Sequence, residues 1–311
     1  MEYDKPKIEF YRQRTFSEKM NAVFDFIREN WKPLLKYSFY LIIPVCLIQS
    51  YAVNSISGSL FSQLLDSENI FNNSMSNILS GYGIILLCRL MGSAIMAGMI
   101  YAMMQTYAVR ENRLQNVTIN DFKSILISNV WKYICMIFAL IIIFIFIAFI
   151  MGIFSAILSS ISFLLVIPIL LAFLCFLIPL MLVIPTYIFE RDITFFDAIA
   201  KAWKLGFSTF WGMIGLMIVL YIILYVIQKV ASIPWSATAL ISMLFSKTSE
   251  TVMTQTPVYK FLMYLFGLIQ AFGEYVASII GILGLAFQYF HAREKIEGVT
   301  VESNIDNFGN L

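Results

Sequence analysis

Arg89 and Glu274 are the two ionisable residues that lie deep inside strongly apolar stretches of this sequence. A charge near the centre of a bilayer costs about 2.5–3.5 kcal/mol on insertion scales, so each residue needs a partner or access to water. Three interpretations are open: each side chain extends separately to the outer interface, the two form an ion pair, or Glu274 carries protons or binds a cation on a transport path. Small residues such as Ala97 and Gly281 permit close helix approach, which favours the pair.

Few other residues are candidates for chemistry. Glu190, Asp192 and Asp197 come nearest to an acidic metal-binding cluster, but we interpret the first two as a solvated loop in which Asp192 or Thr194 starts a helix. His291 is the only histidine, and the four cysteines lie in apolar segments without CxxC spacing. No P-loop, GxSxG or HExxH motif is present. The sequence therefore predicts a protein that is not an enzyme, with no catalytic, cofactor-binding or metal-binding residues.

Composition predicts the elements that hold these residues. Of the 311 residues, 60% are hydrophobic and 13% are charged, against roughly 25% charged in ordinary soluble domains. This number of charges is too small to cover a water-exposed surface of this size. Much of the exterior must therefore face lipid. The net charge of +2, without a run of Lys or Arg, does not indicate nucleic-acid binding. We predict an all-α, polytopic transmembrane helical bundle in contact with the lipid bilayer.

Six apolar stretches are long enough to cross a bilayer core about 30 Å thick, which takes ~20 helical residues. They are residues 34–53, 82–107, 133–158, 163–189, 210–230 and 262–290. The third and fourth are separated by four residues and predict a tight hairpin. The fourth carries Pro168, Pro179 and Pro185. We expect it to be kinked and inside the bundle, where neighbouring helices satisfy the carbonyls that proline leaves free.

The distribution of Lys and Arg predicts the orientation. Sixteen of them lie before the first span, in the loops after spans two and four, or after the last span, and three lie in the opposite loops. Because cytoplasmic loops carry the excess of Lys and Arg, both termini are predicted to be cytoplasmic. Residues 1–33 contain no short apolar run of the kind found in cleavable signals. We expect one integral inner-membrane domain over residues 1–311, with cytoplasmic tails at 1–14 and 296–311.

A similar pattern precedes spans one, three and five. Each segment contains a Trp–Lys pair: Trp31 and Lys32, Trp131 and Lys132, and Trp203 and Lys204. Apolar residues at helical spacing before each Trp predict three amphipathic helices at the cytoplasmic interface. Residues suited to cap these helices are Thr15 or Ser17, Thr118 or Asn120, and Thr194. Either the chain is a pseudo-threefold repeat over residues 15–110, 116–190 and 193–295, or Trp and Lys flank the spans without common ancestry.

Several short motifs carry a family resemblance. Residues 185–190, Pro-Thr-Tyr-Ile-Phe-Glu, are followed by residues 196–205 and by Phe210-Trp211. Together they resemble a widespread group of bacterial integral membrane proteins of unknown function, which includes the membrane domain found beside glycerophosphoryl diester phosphodiesterases. Residues 14–18 and 287–295 resemble the start and the closing helix of stand-alone, six-span members from Bacteroides-like bacteria. The resemblance implies fold and location, and it carries over no catalytic residue because nothing here matches the metal ligands of the phosphodiesterase.

The functional expectation is a non-enzymatic inner-membrane protein that organises or assists partners through its interfacial helices and cytoplasmic face. The partner would be another membrane protein or a second copy of the chain. The alternative is a small-solute or lipid transporter in which Glu274 and the proline-kinked fourth span line a path. A transporter would contain a water-accessible cavity reaching mid-membrane, whereas a scaffold would have a tightly packed interior.

Overall fold

The structure is a computed structural model that describes residues 6–65, 71–157, 175, 177–190, 192–245 and 256–300. Seven helices make up nearly all of this described part, and it contains no strand. They are α1 (Phe16–Leu65), α2 (Phe71–Val109), α3 (Ile119–Ile157), α4 (Val183–Phe189), α5 (Phe195–Ser208), α6 (Phe210–Phe245) and α7 (Pro257–Glu297). The prediction of an all-α protein is confirmed.

Five of these helices are long and apolar enough to cross a membrane. They supply the ranges Phe16–Gly58, Ile78–Val109, Ile119–Ile150, Phe210–Ile241 and Pro257–Glu297. Large apolar side chains along α3 are exposed, among them Ile142, Phe146 and Phe149. Apolar surface of this extent suits contact with lipid rather than water. By length and composition, the chain has the architecture of a multi-pass membrane protein.

The predicted fourth span falls mostly outside the described residues, and with it the kink expected at Pro168. Its described end, Leu177–Phe189, is a short apolar helix with a turn between Pro179 and Pro185. The Leu182 N–H donates to the Pro179 carbonyl at 3.2 Å. Because Pro185 has no N–H, the carbonyl four residues before it lacks its α-helical partner, which explains the interruption.

Three helices begin at a threonine that bonds to an acidic residue three positions later: Thr15 to Glu18 at α1, Thr118 to Asp121 at α3, and Thr194 to Asp197 at α5. In the first two pairs the threonine N–H donates to the carboxylate, at 2.7 and 2.8 Å. In the third, the aspartate N–H donates to the threonine hydroxyl at 3.3 Å. These bonds satisfy polar groups that a helix start leaves free.

The segments before the three Trp–Lys pairs differ in how they join the next helix. α1 is bent at Asn30, which has φ −117° and ψ 20°. The bend comes three residues before Pro33, which cannot make the helical bond to the carbonyl of residue 29. The Asn30 amide donates to the Phe26 carbonyl at 3.0 Å. In contrast, α3 runs on without a break, and α5 is separated from α6 by Thr209.

The chain divides into two compact units, each with its own core. The first unit comprises Met1–Trp31, Ala97–Leu220 and Ile280–Leu311. Its core is aromatic: the rings of Phe10 and Phe290 stack with centroids 5.2 Å apart. The second unit comprises Lys32–Met96 and Tyr221–Ile279, and its buried residues include Ile42, Cys46 and Ala94.

Candidate functional site

The charged pair predicted inside the membrane belongs to the second unit. Arg89 Nη2 of α2 lies 3.4 Å from Glu274 Oε2 of α7. The arginine side chain is 61% exposed and the glutamate side chain 22% exposed. The structure therefore brings the two residues within ion-pair distance, and the carboxylate is the more enclosed of the two groups.

A neutral polar cluster forms around Tyr275, the residue that follows Glu274 in α7. The Tyr275 hydroxyl is 2.7 Å from Gln49 Oε1 and 2.9 Å from the Cys88 carbonyl oxygen, so it can donate to either. Both Tyr275 and Gln49 are buried. Gly92 of α2 leaves room for the tyrosine ring, because a Cβ at that position would overlap it. The cluster joins α1, α2 and α7.

Side-chain to backbone bonds join α1 and α7 at a second place. The Ser50 hydroxyl donates to the Tyr264 carbonyl at 2.7 Å, and the Asn54 amide donates to the Met263 carbonyl at 3.2 Å. Trp235 of α6 donates from its indole N–H to Asn54 Oδ1 at 3.0 Å. Three helices of the second unit are therefore linked through the side chain of Asn54.

Sequence analysis missed Gln49, Ser50 and Asn54. They stand near the end of the first apolar stretch, where polar residues are expected as the exit from the membrane. Their spacing could have indicated a helix contact, because Ser50 and Asn54 are four residues apart and therefore share one helix face. Polar residues of a span that share a face point to a neighbouring helix rather than to lipid.

The predicted interfacial anchors all lie in described helices. Trp31, Trp131, Lys32 and Lys204 are exposed, whereas Trp203 and Lys132 are half-buried. The Lys132 ammonium lies 3.5 Å from the Tyr187 carbonyl oxygen and 5.6 Å from the centroid of its ring. Lys132 is thus held against the end of α4, whereas Trp31 and Trp131 each present an exposed side chain.

The interpretation of the segment after α4 as a solvated loop is wrong for Glu190. This side chain is 9% exposed, and its Oε1 lies 2.8 Å from Lys201 Nζ and accepts from the Tyr289 hydroxyl at 3.0 Å. Glu297 completes the network, at 2.8 Å from Lys201 and 2.9 Å from Arg293. Two carboxylates and two cations balance each other here, and they tie the end of α4 to α5 and α7.

The same arginine reaches the segment that precedes α1. Arg293 Nη1 donates to the Tyr11 hydroxyl at 3.1 Å, and the guanidinium lies 5.4 Å from the ring centroid. Burial raises the pKa of Tyr11, and the positive charge of Arg293 only partly opposes this effect. The phenol therefore stays protonated at neutral pH, and the contact is a neutral anchor for the N-terminal segment.

Comparison with protein-family models, with curated proteins and with solved structures finds no match for this chain. The family resemblance carried by residues 185–190 and 196–205 therefore stays a prediction. In the second unit the geometry is a set of polar contacts from helix to helix, and in the first unit it is a balanced ion-pair network.

Proposed function

We propose that this protein is a non-enzymatic component of the bacterial inner membrane that organises or assists other membrane components. The observation that carries the proposal is the bonding of polar side chains between helices of the second unit. The pairs are Arg89 with Glu274, Tyr275 with Gln49, and Ser50 with the backbone of α7. Polar contacts of this kind hold transmembrane helices in one arrangement. A fixed bundle suits a protein that presents surfaces to partners.

The proposed arrangement has six spans, both termini in the cytoplasm and three amphipathic segments at the inner membrane surface. The burial pattern of α5 supports it. Ala198, Ala202 and Leu205 are buried along one face, while Phe196 is 75% exposed. An apolar residue on the open side of a short helix is typical of helices that lie in the headgroup region. The excess of Lys and Arg in the same segments supports the cytoplasmic side.

A transporter is the second candidate, and one observation favours it. The helix interruption between Pro179 and Pro185 resembles the broken helices that line binding sites in transporters. In that case the Glu274 carboxylate would be needed for flux and not for folding. Glu274→Gln would then abolish substrate movement while leaving the amount of folded protein unchanged.

Photo-crosslinking in intact membranes tests the scaffold proposal. A photoreactive amino acid is introduced at Phe196 of α5 in the full-length chain, and irradiated membranes are analysed for adducts. We expect one discrete protein adduct, formed either with a second copy, which doubles the mass, or with one other membrane protein.

The matched control carries the same photoreactive residue at Ile218 of α6, which is 55% exposed and lies in an apolar span. At this position we expect lipid adducts. If Phe196 also yields only lipid, the surface of α5 has no protein partner and the scaffold proposal is wrong.

A further inference from the structure

A pocket of about 460 Å³ opens in the first unit where α5 gives way to α6. Its lining includes Thr209, the first residues of α6, and His291 and Lys295 of α7. None of the described residues that line it is acidic. None of these residues belongs to the Glu190 network or to the charged pair.

Lys19 of α1 supplies a buried positive charge beside this pocket. Its side chain is 3% exposed, and its ammonium lies 3.7 Å from the place that a Cβ on Gly212 would occupy. It donates to Gln288 Oε1 at 2.8 Å, and the Gln288 amide in turn donates to the Thr209 hydroxyl at 3.0 Å. In the part of the chain that the structure describes, no carboxylate lies within ion-pair distance of Lys19. A buried cation with only neutral partners favours an anion nearby.

His291 faces the pocket as a neutral ring. Its Nδ1 accepts the Arg14 backbone N–H at 3.0 Å, which assigns the ring proton to Nε2 as a further donor. The charges of Lys19, Lys295 and Arg14 all act on this ring.

The start of α6 adds donors to the pocket. Met213 makes the first backbone bond of this helix, to the Thr209 carbonyl at 2.9 Å. The N–H groups of Phe210, Trp211 and Gly212 precede that bond, and all three residues line the pocket. The positive end of a helix dipole and free N–H groups attract anions, and phosphate above all.

The sequence around the pocket indicates headgroup depth. The apolar span of α6 begins at Phe210, and α7 changes from apolar residues to charged ones at His291. Trp211 lines the pocket and is 82% exposed. Aromatic side chains of this kind gather at the membrane–water interface.

We propose that this pocket binds a phosphate group carried by the headgroup of an anionic phospholipid. The Lys295 ammonium neutralises the phosphate, and the His291 Nε2–H and the N–H groups of α6 are the neutral donors. The buried Lys19 ammonium does not line the pocket and adds positive charge next to it. The lipid chains then lie along the exposed apolar surface beyond Trp211. This proposal rests on the pocket's own residues and is independent of the role given to Arg89 and Glu274.

Calorimetric titration of the full chain in a mild non-ionic detergent tests it. The ligands are short-chain phosphatidylglycerol, short-chain phosphatidylcholine and inorganic phosphate, and the phosphatidylcholine arm also measures partitioning into micelles. We expect tight binding of phosphatidylglycerol only. Lys295→Gln should weaken it about tenfold, as expected for loss of one charge-assisted hydrogen bond. Lys19→Met should weaken it by less, because Lys19 lies beside the pocket and does not line it.

Lys123→Gln is the matched control, because Lys123 is an exposed lysine of the first unit outside the pocket. The affinity of this variant for phosphatidylglycerol should stay within about twofold of that of the unmodified chain. If Lys19→Met fails to fold, the exposed Lys295 still decides the result. Equal affinity for inorganic phosphate would assign the pocket to free phosphate and overturn the lipid source. Unchanged binding in Lys295→Gln would overturn the site itself, and equal binding of both lipids would overturn its preference for an anionic headgroup.

Discussion

An unpaired carboxylate at Glu274 would destabilise the second unit. Its side chain is 22% exposed, whereas the side chain of Arg89, 3.4 Å away, is 61% exposed. Solvent screening of the exposed guanidinium limits what the ion pair itself contributes to stability. Removing one partner has a larger effect on stability, because the charge of the other partner is then left uncompensated.

Charge-swap variants of this pair follow from that reasoning. Arg89→Glu alone places two carboxylates together and should lower the yield of folded protein about twofold to fivefold, as a loss of 1–2 kcal/mol does in cells. Glu274→Gln should lower it less, because it leaves no buried like charge. The double swap of Arg89→Glu with Glu274→Arg should restore most of the yield, measured as monodisperse protein per cell mass after detergent extraction.

Lys260→Gln serves as the control, since Lys260 is an exposed residue near the start of α7. A double swap that is worse than both single variants would show that the two side chains do not compensate each other. A harmless Glu274→Gln would also contradict the pairing.

Some of the residues that hold the helices together could be predicted from the sequence, and others could not. Arg89 and Glu274 could be found because an ionisable residue in an apolar run is conspicuous. Glu190 and Lys19 could not, because both stand in charged segments where a solvated side chain is the ordinary expectation. Their burial depends on α7, whose Gln288 and Arg293 are far away in sequence and were not predicted to meet them.

Among the helices, α5 shows most clearly how a local signal sets an element. Thr194 has extended backbone angles at the start of this helix and accepts from the Asp197 N–H, and the two side chains also bond to each other. An acidic residue in the first turn adds a favourable interaction with the helix dipole. The beginning of α5 is therefore stabilised by residues that are adjacent in sequence.

Removing this cap should loosen the first turn of α5. Thr194→Ala is expected to cost about 0.5–2 kcal/mol of local stability, so the amides of Asp197 and Ala198 should exchange with deuterium about 2- to 30-fold faster. Thr194→Ser keeps the hydroxyl and should retain most of the protection. Equal exchange in the alanine and serine variants would mean that Thr194 does not cap the helix.

Elements were predictable where their determinants are local. The threonine caps and the proline interruption follow from sequence neighbours, and the structure has both. The three Trp–Lys segments differ in length. Trp31, Trp131 and Trp203 lie sixteen, thirteen and nine residues after their capping threonines. Whether a segment bends, continues or ends before its span depends on local breaks such as Asn30 and Thr209. The threefold repeat therefore remains a prediction.

For the whole molecule, composition was enough to predict a multi-pass helical architecture. A chain with 13% charged residues cannot cover a water-soluble surface, and five helices of the described part have the length and hydropathy of spans. The division into two units was not predictable, because it depends on which helices pack together along their length. Periodicity reports which face of a helix is apolar but not which neighbour it meets.

The orientation of the chain is the claim on which the proposed function depends. Cysteine labelling in intact cells tests it most directly, using a parent chain whose four native cysteines are replaced by alanine. Single cysteines are introduced as Lys123→Cys, on the predicted cytoplasmic side, and Lys260→Cys, on the predicted outer side. A membrane-impermeant maleimide should label position 260 in intact cells and position 123 only after the membrane is opened. Labelling of position 123 in intact cells, or protection of position 260, would contradict the account.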